Sequence, residues 1–217
     1  MGSTADPRVA AADEAALPSP LPLFPLPLVL FPGGLLPLKV FEARYLDMVG
    51  NCLREQQPFG VVCLREGEQV GRGPTRLERV GVLARILDVD SEQPGILKLQ
   101  CIGTHRFRLQ GLPVQRDDGL WVAPAEPIPD DEALTPDAAL MPSVQALAQA
   151  AETLKEKGIE PFAVPLKLDD AGWVANRWCE ILPISLAAKQ KLMELEDAAT
   201  RLVLIDEFLR SKQVVRG

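Results

Sequence analysis

The sequence predicts an α+β protein, with a β-rich first half and a helical second half. Three features point there. A proline-studded apolar opening excludes a helix at the start of the fold. Short apolar runs then recur between turn signals as far as Pro127. From Pro142 onward the apolar period becomes that of helices.

The opening reads LPLFPLPLVLFPGGLLPLKVFEARY, Leu21 to Tyr45. Its apolar length suits a membrane span, but its prolines do not. Each would remove a donor and crowd the preceding turn, at about 3 kcal/mol apiece in a helix. An extended lead-in followed by a buried strand over Leu28 to Phe31 is expected instead. Pro32 to Gly34 should turn, and LLPLKVF should be a second extended piece. The prolines would hold the chain extended and blunt an edge strand. Tyr45, Met48, Val49 and Cys52 then share one face of a helix near Ala43 to Arg54.

The next runs are strand-like. FGVVCLRE spans Phe59 to Glu66, between Pro58 and Gly67. RVGVLARILDVD (Arg79 to Asp90) places Val80, Val82, Ala84 and Ile86 on one face. GILKLQCIGTHRFRLQGL follows a turn, with a bulge or bend expected at Gly103, and LWVAPAEPIP supplies a last strand. Such strands suit a small barrel or pseudo-barrel.

Helical periods follow. Val144, Leu147, Ala151 and Leu154 form one face, stopped at Gly158. Asp170 caps a helix with Val174, Trp178, Ile181 and Leu182 inward. Ser185 caps another, with Ala188, Leu192 and Leu195 inward. Asp197 caps the last, with Leu202, Ile205 and Leu209 inward. The expected divisions are a tail over 1–17, a β-rich lobe over 18–129 and a helical bundle over 130–213.

Composition narrows the function. Apolar residues make up 47% and charged residues 24%, as in an ordinary soluble chain. The net charge is −7 and aromatics are 5%, a poor basis for holding phosphate backbones or stacking bases. The start of the chain has Asp6, Asp13 and Glu14 where a secretory signal needs a basic and then an apolar run, so a cytoplasmic location is expected. Cys52, Cys63, Cys101 and Cys179 show no C-x-x-C spacing and read as reduced core residues. No metal or cofactor motif is visible, and the six serines lie in no nucleophile motif. His105, the one histidine, has no adjacent nucleophile and reads as a strand-surface residue. Asp117-Asp118, Asp130-Asp131 and Asp169-Asp170 read as turn and capping pairs.

Four blocks, in order, resemble the Lon protease N-terminal (substrate-binding) domain family: LPLFPLPLVLFPGGLLPLKVFEARYLDMV, RVGVLARILDVD, LQCIGTHRFRLQGL and WVANRWCEILPISLAAKQKLMELEDAATRLVLIDEFL. The resemblance implies a PUA-like pseudo-barrel followed by a helical bundle. It also implies a non-catalytic recognition module, stand-alone because the sequence has no ATPase phosphate loop and no peptidase motif. The partners implied are polypeptides, unfolded or apolar, rather than a membrane.

The FEARY segment is the first place to seek a site. Glu42 and Arg44 are charges wedged among Val40, Phe41 and Tyr45. Either they pair with the THRFR hairpin, Arg106 being the expected partner of Glu42, or they form a ligand-contacting edge. Trp173 lies off the inner face of its helix, so it either packs on the β lobe or lines a cleft between the lobes. Phe41, Glu42, Arg44, Tyr45, Arg106 and Trp173 are therefore the candidate binding residues. The alternative function is RNA binding by a PUA-like fold, through Arg72, Arg76, Arg79, His105, Arg106 and Arg108, interspersed with Glu66, Glu68 and Glu78.

Overall fold

The computed structural model describes residues 17–66 and 76–215. The tail expected at the start, up to residue 16, lies outside the described residues, as do Gly67, Glu68 and Arg72.

The strands are β1 (Leu21–Leu26), β2 (Leu35–Val40), β3 (Phe59–Glu66), β4 (Arg76–Leu77), β5 (Val80–Gln93), β6 (Ile96–Leu109), β7 (Val114–Gln115), β8 (Trp121–Ala123) and β9 (Ala125–Pro127). Helix α1 (Ala43–Glu55) falls between β2 and β3. A 3-10 turn (Ala138–Leu140) leads into α2 (Met141–Glu156), α3 (Ala171–Ile181), α4 (Leu186–Glu194) and α5 (Ala198–Ser211). The protein is thus α+β, as expected. The strands form one mixed sheet in the order β2-β6-β5-β3-β1-β8-β7, with β4 added to β3 and β9 to β6. This hydrogen-bonded path is open, with β2 and β7 at its ends.

The first strand differs from expectation. Leu21–Leu26 is the strand, prolines included, whereas Leu28 to Phe31 is irregular, with Leu28 half-buried and Val29 to Phe31 buried. Nor is β1 an edge. It pairs parallel with β3 from Leu23 to Leu26 and antiparallel with β8 from Leu21 to Leu23. Pro22 therefore faces a registered neighbour only in β8, and Pro25 only in β3. Each proline forfeits at most one ladder bond. Burial on both faces compensates: Leu21 and Leu23 join a small cluster with Val62 and Phe107, while Phe24 and Leu26 enter the main core. The proline that does blunt an edge is Pro37, exposed on the terminal strand β2.

β3 spans the residues expected, and the long β5–β6 hairpin shifts register between Val82–Arg106 and Ala84–Gly103. The bulge therefore falls where Gly103 announced it. The LWVAPAEPIP run makes two short strands, β8 and β9, instead of one.

The expected caps are all present. Asp170 accepts from Trp173 N–H, Ser185 from Ala188 N–H, and Asp197 from Ala199 and Thr200 N–H. Gly158 turns the chain at φ +73° after α2. α3 lies between the other helices and is buried from Ala171 through Cys179. The expected inner face of α4 is corrected. Gln190 and Met193 are its buried residues, while Ala188, Leu192 and Leu195 are half-buried. The reason is polar: the Gln190 amide reaches across to the β5 carbonyl of Val80, at 3.0 Å. One apolar core then runs from Phe24 and Phe59 on the sheet to Trp178 and Leu209 on the helices.

The Pro32–Gly34 turn docks on Gly103. Gly33 N–H donates to Gly103 O and Gly103 N–H to Gly34 O, both at 2.8 Å. A Cβ on Gly103 would overlap the Phe31 carbonyl oxygen and crowd Leu30. We expect Gly103→Ala to lower stability in urea unfolding by about 1–3 kcal/mol, through overpacking. An unchanged midpoint would contradict this docking.

Candidate functional site

A cleft of about 300 Å³ opens where three elements meet: the bulged stretch of β6, the Pro32–Gly34 turn and the first turns of α3. Gly33, Gly103 and Gly172 line it without side chains, and Trp173 forms an apolar wall. The polar lining includes Arg85, Thr104, His105, Lys167 and Asn176. A second hollow, about 460 Å³, lies between α1 and the chain entering β1, with Pro18, Pro20, Pro22 and Met48 among its walls.

Beneath the cleft lies a buried charge network. Arg106 (2% exposed) and Arg201 (1% exposed) both grip Asp131. Arg106 Nη2 donates to Asp131 Oδ1 at 2.8 Å, and Arg201 Nη1 to Oδ2 at 2.6 Å. Arg106 also donates to the carbonyls of Pro129, Met193 and Leu195. Arg201 donates to Leu192 O, Leu195 O and Asn176 Oδ1. Sequence reasoning missed Asp131, having taken the Asp130-Asp131 pair for a turn. A signal existed in Arg201, which recurs with Ile205 and Leu209 on the inner face of α5; a charge on such a stripe requires a partner. Asp130 itself pairs with His105, at 2.8 Å.

A second clasp joins α3 to the Pro32–Gly34 turn. The fully buried Arg177 donates to Pro32 O at 2.9 Å and to Glu180 Oε1 at 2.7 Å. Its guanidinium carbon stands 5.5 Å from the Trp173 ring centre. Burial pushes the Glu180 carboxyl up to about 7, against the pull of Arg177.

The candidate residues divide between two places. Trp173 (9% exposed) packs its ring edge-on against Phe162 and sits against Gly33, so it rests on the β half while lining the cleft. Arg106 lines the cleft but is committed to Asp131. The expected Glu42–Arg106 pair is not formed. Glu42 pairs instead with Arg44, at 2.6 Å, and Arg44 also donates to Gly119 O. The reason is local: Glu42 stands at the N-cap of α1, two residues from Arg44, and the Gly119 carbonyl takes a further donor, from Nη1. Tyr45 belongs to the core rather than to a binding edge. It stacks on Phe24 with ring centres 4.1 Å apart, as the helical period that turns it inward requires. Phe41 is 60% exposed.

The proposed basic face for RNA is largely engaged within the protein. Arg79 donates to Leu109 O and Gly111 O, Arg108 pairs with Glu196, and Arg106 is buried. Burial raises the thiols of Cys52 and Cys63 to about 11 and those of Cys101 and Cys179 to about 12, which fits inert core cysteines. Among the described residues, no group of three or more His, Cys, Asp or Glu could hold a metal, and no helix is long and apolar enough to cross a membrane.

A mixed sheet clasped by buried arginines onto a helical layer, with a cleft at the seam, defines the class: an α+β domain. The sequence matches the family described as ATP-dependent protease La (LON) substrate-binding domain over residues 20–211, and the chain belongs to that family. It is 31% identical to the Lon protease of Paraburkholderia phytofirmans, covering 89% of this chain and 24% of that protein. It is 26% identical to the Lon protease of Anaeromyxobacter dehalogenans, covering 92% and 24%. The chain thus spans about a quarter of the length of these relatives. Among solved structures, a Lon N-terminal domain protein from Xanthomonas campestris matches with a TM-score of 0.66 at 34% identity, covering 85% of this chain and 95% of that one. The N-terminal domain of a Mycobacterium avium complex Lon protease, 16% identical with a TM-score of 0.53, shares the fold.

Three outcomes follow. Asp131→Ala leaves two buried guanidinium groups unpaired, and thermal or urea unfolding should show a loss of about 3–5 kcal/mol. Glu42→Ala breaks a half-buried pair between near neighbours and should cost about 1 kcal/mol or less, well below Asp131→Ala. For Glu180, the folded pKa lies above the unfolded one, so the folded state holds the proton more tightly. Wild-type stability should therefore fall relative to Glu180→Gln as pH rises from about 4.5 to 7. Parallel stability curves for the two proteins would contradict this.

Proposed function

We propose that this chain is a non-catalytic polypeptide-recognition module that holds unfolded or apolar segments of client proteins, in the cytoplasm. The observation that carries the reading is the match, over nearly all the described residues, to a family described as a substrate-binding domain. The cleft supports it. A concave seam with an indole wall and a few polar groups suits a peptide side chain. The exposed Phe41, beside the end of β2, offers a further apolar contact. Within the β half, Phe41, Glu42 and Arg44 remain candidate contacts; at the seam, Trp173 does.

The hydroxyl and imidazole partners favour a non-catalytic role. Ser143 donates to Asp206, Ser185 caps a helix, Ser211 donates to Phe208 O, and His105 pairs with Asp130. We also read the open, bent sheet as a PUA-like pseudo-barrel. The division near 129–130 is then a change of architecture across one shared core, between a β-rich lobe over 18–129 and a helical bundle over 130–213.

The test is a titration with a reduced, carboxamidomethylated and permanently unfolded protein, beside single-stranded RNA, at low and moderate salt. Polypeptide binding should be weak and change little with salt. RNA binding would weaken with a slope near −0.7 per phosphate contacted. Salt-steep RNA binding without affinity for unfolded chain would overturn the reading.

A further inference from the structure

The cleft is lined by three carboxylates and three Arg or Lys cations, and the two sets differ in how fully they are partnered. Three carboxylates line it, and all three are engaged. Asp131 is held by Arg106 and Arg201, Asp130 by His105, and Asp170 by the Trp173 N–H at the start of α3. The cations are less fully matched. Arg106 is committed to Asp131, but the side chains of Arg85 and Lys167 make no hydrogen bond or ion pair with the described residues.

Asn176 supplies a second, independent sign. It is 4% exposed and lines the same cleft. Its Oδ1 accepts from Arg201 Nη1 at 3.1 Å, which fixes the amide orientation and makes the other end a donor. That Nδ2 group donates to no described residue. The group is not sealed in the interior, so it can donate to an acceptor that enters the cleft. Two unpaired cations and one oriented N–H₂ around a small cavity match a planar group with two acceptor oxygens and a negative charge.

We propose that the cleft binds a carboxylate of the recognised polypeptide, between Arg85, Lys167 and the Asn176 amide, with the flanking apolar residue against Trp173. This inference rests on the polypeptide-recognition reading and adds a chemical preference to it. The carboxylate comes from either a free chain end or an Asp or Glu side chain. A polypeptide lacking both would keep its apolar contacts and lose this one.

The experiment uses the full chain and one short, fluorescently labelled apolar peptide in three forms: a free C-terminal carboxylate, a C-terminal amide, and an amide carrying one internal Glu. Anisotropy titration should show at least one carboxylate form binding about tenfold more tightly than the plain amide, as a charge-assisted hydrogen bond supplies. The form that gains identifies the source of the carboxylate. In Arg85→Gln/Lys167→Gln the difference between forms should collapse, with melting of the variant checked alongside. Neither side chain has a hydrogen-bond or ion-pair partner among the described residues, so the double substitution breaks no contact described there. In ¹⁵N-correlated spectra the Asn176 side-chain amide should shift with the carboxylate form and stay in place with the plain amide. Equal binding of all three forms, or a gain that survives the double substitution, would overturn the carboxylate site while leaving polypeptide recognition standing. No binding of any form would remove both.

Discussion

The fold depends on one carboxylate shared by two buried arginines. Asp131 lies in the segment between sheet and helices, Arg106 on β6 and Arg201 on α5. Two guanidinium groups against one carboxylate leave an excess positive charge in a region of low dielectric. The end of α4 helps to balance it. The carbonyls of Leu192, Met193 and Leu195 lie at its C-terminal end, where only that of Leu192 accepts locally, from Leu195 N–H, and they carry the negative end of the helix dipole. They accept from Arg106 and Arg201. The arginines thus cap α4 while the aspartate neutralises them. Desolvating such charges is repaid only when nearly every donor is satisfied. The network therefore fixes the relative placement of β6, α4, α5 and the connecting segment together.

The Pro32–Gly34 turn makes the second attachment. It leaves the irregular Leu28 to Phe31 segment and hydrogen-bonds to the bulge at Gly103. Arg177 and Glu180 then grip it from the helical side. Side chains are excluded there for geometric reasons. A Cβ on Gly33, at φ +76°, would meet Arg177, and one on Gly34 would meet Glu180. The two attachments form the walls of the seam, and the cleft is the space left between them. A site defined by two rigid clasps is set by the scaffold rather than by loops.

Much of this was legible in the sequence. Period and capping residues located α1, α3 and α5, and the bounds of β3 fell at Phe59 and Glu66. Gly103 marked its own bulge because glycine inside a strand pattern has few other uses. The errors share one cause. Apolar continuity from Leu21 to Phe31 does not distinguish a paired strand from buried irregular chain, and the prolines pointed to an edge that long-range pairing overrode. Likewise Ala188, Leu192 and Leu195 formed a plausible stripe on α4, but the Val80 carbonyl drew Gln190 inward. The candidate site was half legible. Trp173 stood out because it left the inner face of its helix. Asp131 did not, because a partner 25 residues from Arg106 and 70 from Arg201 leaves no local pattern. The half-buried charges of Glu42 and Arg44 do need partners, and they find them in each other.

The central claim is that the seam between sheet and helices is the recognition surface. Backbone and indole ¹⁵N chemical shifts, followed while an unfolded apolar polypeptide is titrated in, test it most directly. The account predicts perturbations concentrated at Gly33, Gly103, Thr104 and Trp173, with Tyr45 and the rest of the α1 inner face unmoved. Perturbations confined to the exposed Leu112–Val114 region, with the seam resonances unchanged, would contradict it.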